Sequence, residues 1–102
     1  MNHANSEGWT PCLFAAQNNQ TETLGVLLQA GCDVDQADND GWTPLYQAAQ
    51  FGQEKCVQLL LGAGAKVDQA TNDGYAPLHV AAQEGHEKCA ALLRAAGAKD
   101  VR

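Results

Sequence analysis

The chain repeats itself. Shifted by 33 residues, Gly8-Trp9-Thr10-Pro11 falls on Gly41-Trp42-Thr43-Pro44 and then on Gly74-Tyr75-Ala76-Pro77. The same shift superposes Ala15-Ala16-Gln17, Ala48-Ala49-Gln50 and Ala81-Ala82-Gln83, and brings Ala30-Gly31 onto Ala63-Gly64 and Ala96-Gly97. Residues 7–36 and 40–69 agree at 15 of 30 positions, and residues 40–69 and 73–102 at 17 of 30. A period of this length specifies like units that stack, each burying its apolar face against the next. The units run at about 7–39, 40–72 and 73–102, within one domain spanning 1–102.

Each unit reads as helix, tight loop, helix and extended turn. In the second, Thr43 caps the free amide donors and Pro44 occupies the first helical turn, where its missing N–H costs nothing. Leu45, Ala48 and Ala49 form a small apolar stripe, and Gly52 closes that helix. A second helix is predicted over about Glu54–Gly62, with Val57, Leu60 and Leu61 on its buried side and Gly64 ending it. Asn72-Asp73-Gly74 carries turn chemistry at the tip of a hairpin-like finger. Helices of about nine residues do not persist alone in water, so stacking supplies the stability. The paired alanines let neighbouring helices approach closely.

These residues resemble the ankyrin repeat, whose signature is Thr-Pro-Leu-His-x-Ala on a 33-residue period. Ala76-Pro77-Leu78-His79-Val80-Ala81, Thr43-Pro44-Leu45-Tyr46-Gln47-Ala48 and Thr10-Pro11-Cys12-Leu13-Phe14-Ala15 are the three matching segments. The resemblance implies an all-α ankyrin-repeat solenoid of stacked helix-turn-helix units with hairpin-like loops. The chain departs from the family at several places. Ala76 removes a capping hydroxyl, so Ala76→Thr is expected to stabilise the fold by about 1 kcal/mol. Asn19 replaces the inter-helix glycine, and Asp35 and Asp68 replace asparagines. Arg94 takes the place of Leu28 and Leu61, a charge on a face where a fourth unit would pack, which suggests that the stack ends there.

Twelve acidic residues against six basic ones give a net charge of −6, and the six basic residues are scattered singly. A nucleic acid would be repelled. The acidity serves solubility, or a preference for a partner with basic side chains. The apolar run Val57–Leu61 is broken by Gln58 and falls far short of the roughly 20 residues of a membrane span. Residues 1–8 are polar and lack the basic start and apolar core of a signal peptide. No two of Cys12, Cys32, Cys56 and Cys89 lie two to four residues apart, so no zinc knuckle is present. Cys56 and Cys89 occupy equivalent positions on adjacent units. Packed helices stand about 8–10 Å apart, and a disulfide needs Cα atoms within about 7 Å. Both are read as small buried hydrophobes, and reduced thiols imply an intracellular setting, cytoplasmic or nuclear. His79, His86 and His3 have no acid and nucleophile arranged beside them, and no phosphate loop or catalytic carboxylate pair appears. The chain is expected to be no enzyme, to need no cofactor or metal, and to act as a monomer.

The residues that vary between otherwise alike units are the ones the stack does not dictate. They are Asn18, Phe51 and Glu84 at the end of each first helix, and Leu13, Tyr46 and His79 one turn after its start. Trp9, Trp42 and Tyr75 keep aromatic character beside the fingers; Trp9 is read as packing along the stack. In ankyrin-like stacks, first helices and fingers line the concave side where partners dock. The expected protein-binding set is Asp40, Trp42, Tyr46, Phe51, Asp73, Tyr75, His79 and Glu84, with the rings as anchors and the carboxylates meeting basic side chains. On this reading Tyr46→Ala with Phe51→Ala abolishes binding and leaves the thermal melt nearly unchanged. The alternatives are a designed or stability-oriented scaffold, or an excised fragment, with no partner of its own, and a ligand-binding or enzymatic domain. Free cysteines, Asn19 and Ala76 speak against design.

Overall fold

Helix starts set the frame. In the computed structural model, which describes residues 10–98, Oγ1 of Thr10 accepts the N–H of Leu13 at 3.3 Å, and Oγ1 of Thr43 accepts that of Tyr46 at 3.1 Å. Each cap precedes a proline that opens a helix: α1 (Pro11–Gln17), α3 (Pro44–Gln50) and α5 (Pro77–Gln83). Ala76 holds the same extended backbone as Thr43, φ −84° and ψ 161° against −83° and 165°, but offers no side-chain cap. After each first helix one residue takes positive φ, Asn19 at 57°, Gly52 at 69° and Gly85 at 77°, and turns the chain back. The second helices follow as α2 (Thr21–Gln29), α4 (Glu54–Gly62) and α6 (Glu87–Ala95). The predicted bounds of α4 match the observed ones.

The six helices form three antiparallel pairs in two layers, with no strand among the described residues. Helix packing runs between neighbouring pairs, α1 on α3 on α5 and α2 on α4 on α6. The first helices pack more intimately than the second, because Ala15, Ala16, Ala48, Ala49 and Ala81 face one another there, all buried. Leu24, Leu60 and Leu93 fill the space between the layers, each fully buried. Burying such a leucine contributes roughly 1.5–3 kcal/mol.

A hydrogen bond latches each junction between repeats. Nε2 of Gln53 donates to the carbonyl of Gln17 at 3.0 Å, and Nε2 of His86, 33 residues on, donates to the carbonyl of Gln50 at 3.0 Å. The carbonyl can only accept, so His86 carries its proton on Nε2. His86 therefore does more than occupy a loop. Its ring lies over Gly52, where an added Cβ would stand 2.7 Å from Nδ1.

The expected fingers are present as tight turns. The N–H of Asp38 donates to the carbonyl of Trp42 at 3.1 Å, and that of Thr71 to Tyr75 at 2.9 Å. Adjacent fingers are joined, with the N–H of Asn72 on the carbonyl of Asp40 at 3.0 Å and its Nδ2 on the carbonyl of Asn39 at 2.9 Å. His3 and Trp9 lie outside the described residues. Among those described, no helix is long and apolar enough to cross a membrane.

Candidate protein-binding face

The fingers and the starts of α3 and α5 position most of the predicted site. Oδ1 of Asp38 accepts the amides of both Asp40 and Trp42, at 2.9 and 3.0 Å, which fixes the tip of the first finger. In the second, Oγ1 of Thr71 does the same for Tyr75 at 3.3 Å. Asp40 and Asp73 are exposed at these tips, while Trp42 and Tyr75 are half-buried at their bases.

Each base ring packs on the residue four positions later. Trp42 meets Tyr46 with centroids 4.9 Å apart and planes tilted by 55°, and Tyr75 stacks on His79 at 4.7 Å and 15°. The pairing follows from the register. The cap ends the finger one residue before the helix, so the finger-base residue lies above the first turn.

Tyr46 corrects the sequence expectation. It is only 5% exposed and belongs to the core, not to a free aromatic surface. The ring of Trp42 covers one side, and repeat 3 flanks the other. Burial pushes its hydroxyl above the ordinary tyrosine value, and Tyr75, Asp73 and Glu84 add to the effect in that order. Asp73, Tyr75 and Glu84 thus act on the Tyr46 hydroxyl through their charge. His79 joins them through its stack on Tyr75, and Asp40 through the bond from Asn72. Phe51, at the end of α3, is 44% exposed, and Glu84 holds the same position on α5. Of the eight predicted residues, seven are accessible at least in part and Tyr46 supports them from beneath.

This face is acidic, rigidly held and shallow. Two hollows lie between the second helices. One of about 400 Å³ is lined by Thr21, Glu22, Lys55, Gln58 and Leu59. Another follows Leu28, Leu59 and Ala63. Among the described residues, no three His, Cys, Asp or Glu side chains gather as a metal site.

Three features escaped sequence reasoning. Gln47 is fully buried in α3, and neither atom of its amide finds a hydrogen-bond partner among the described residues. His86 latches repeats 2 and 3; its alignment with Gln53 was the available signal. Cys12 and Cys32, both buried, bring their sulfurs to 3.3 Å. Cys56 and Cys89 are buried with free thiols, as expected. Desolvation raises both, Cys89 to about 11 with a further push from Glu54.

None of the curated proteins compared with the chain matches it. A family profile described as ankyrin repeats, three copies, matches residues 13–102.

Proposed function

The chain belongs to the ankyrin-repeat family, whose members are generally non-enzymatic protein-interaction modules, and from that premise we propose that it binds a basic segment of a protein partner on the finger-and-first-helix side. One observation carries the reading: half-buried Tyr75 stacks on His79 in a repeat that also exposes Asp73 and Glu84, with Asp40 on the adjoining finger. Rings beside carboxylates suit an arginine or lysine, which lies over the aromatic face while its charge meets the acid. Exposed Phe51 offers an apolar anchor beyond them. The net charge of −6 steers a basic partner and repels nucleic acid. The module works as a monomer in a reducing compartment, cytoplasm or nucleus, which keeps its four thiols free.

A selection from displayed random peptides, followed by calorimetric titration of the winners, tests this. Lysine- and arginine-bearing peptides are expected, binding more weakly as salt rises. Asp73→Lys with Glu84→Lys should weaken them at least about tenfold, or about 1.4 kcal/mol, with the melt preserved because both side chains are exposed. Winners that bind the reversed variant equally well would sink the assignment of this face.

A further inference from the structure

The first repeat departs from the other two at a pair of positions that touch. Where repeats 2 and 3 carry Leu45 and Leu78, repeat 1 has Cys12, and where they carry Ala65 and Ala98, it has Cys32. The two sulfurs stand 3.3 Å apart, within hydrogen-bond distance of each other. Both residues are buried. Cys56, by contrast, faces oxygen atoms, the carbonyl of Ala15 at 3.9 Å and Oδ1 of Asn19 at 3.8 Å. Repeat 1 thus holds a thiol–thiol contact at the two positions where the other repeats carry leucine and alanine, and apolar packing alone does not require sulfur at both ends.

We propose that Cys12 and Cys32 form a reversible intramolecular disulfide when the chain meets a peroxide, stapling α1 to the turn that follows α2. Cys32 reacts first. It sits in that turn between exposed Gly31 and Asp33, whereas Cys12 lies behind it on the helix. The sulfur of Cys32 attacks one peroxide oxygen; the O–O bond breaks, an S–O bond forms and water leaves. The sulfur of Cys12 then attacks that of Cys32. The S–S bond forms, the S–O bond breaks and a second water carries away the Cys12 proton. Two thiols are oxidised and one peroxide is reduced to two waters.

Burial restrains the reaction. It pushes the Cys12 thiol up to about 12, aided by its hydrogen bond with Cys32 and the charges of Cys32, Asp33 and Cys56. The thiolate is scarce at neutral pH, so closure is slow, quickens as pH rises, and answers sustained rather than passing oxidant. Once closed, the bond joins both helices of repeat 1 and confines its unfolded chain.

The test treats the whole chain with hydrogen peroxide under native conditions and isolates the monomer. No lysine or arginine precedes Lys55, so a chymotrypsin-type or acid-specific protease must separate the two cysteines. The expected result is a peptide pair linked Cys12 to Cys32, with a thermal midpoint a few degrees higher than before and restored by dithiothreitol. Cys12→Leu with Cys32→Ala, which installs the residues of the other repeats, should fold and show no such rise. Cys12 and Cys32 recovered as thiols or as separate sulfinic acids, linkage through Cys56 or Cys89 instead, or an equal rise in the double variant would each overturn the proposal.

Discussion

Repeats 2 and 3 share more residues than any other pair, yet the same register does different work in each. Tyr46 is buried, while His79 at the equivalent position is half-exposed. Gln47 is sealed in the stack with its amide unpartnered, where repeat 3 buries Val80. Gly52 lies beneath the ring of His86, whereas Gly85 has open space where a Cβ would go. Leu61 is half-buried and Arg94 exposed. The repeats differ because one has described neighbours on both sides. In a stack, burial is a property of place as much as of residue type.

The largest test of that contrast is Tyr46→Ala against His79→Ala. Removing the buried ring should cost about 3 kcal/mol by denaturant titration, and removing the half-exposed one less than about 1 kcal/mol. Equal costs would mean that Tyr46 is not core. This also revises the double variant with Phe51 considered from sequence, which is now expected to lower the melt. Next comes Gly52→Ala against Gly85→Ala. Both force alanine into positive φ at roughly 1–2 kcal/mol. Only Gly52→Ala also displaces His86 and its bond to Gln50, adding about 1 kcal/mol; a shared value would show that the junction latch contributes nothing. Smallest is the cap. Ala76→Thr should raise stability by about 1 kcal/mol, and Thr43→Ala should lower it by a similar amount. An unchanged midpoint for Ala76→Thr would count against the geometry of that turn.

What the sequence shows clearly is whatever the period repeats. Caps, prolines, paired alanines and positive-φ turns recur because every unit needs them, so helix bounds such as those of α4 could be read directly. What it hides is what happens once. The burial of Tyr46 depends on a ring in its own finger and on the packing of α3 against its neighbours, so its variation looked like freedom from structural duty. The position behaves differently in each repeat: Leu13 is buried and His79 half-exposed. The Cys12–Cys32 contact joins a helix start to a turn 20 residues on, a distance no local pattern spans. Asp40, Asp73 and Glu84 were legible as exposed acids, but the influence of Asp73 and Glu84 on the Tyr46 hydroxyl needed coordinates.

The junction latches have a mechanical corollary. Among the described residues, repeats 1 and 3 share no substantial helix packing, so a load applied to the two flanks passes through repeat 2. Such an object yields by peeling, one outer leaf at a time, each detachment breaking an amide or imidazole clasp together with the helix packing at that junction. Tension would then be borne in steps rather than in a single rupture, with the middle leaf released last.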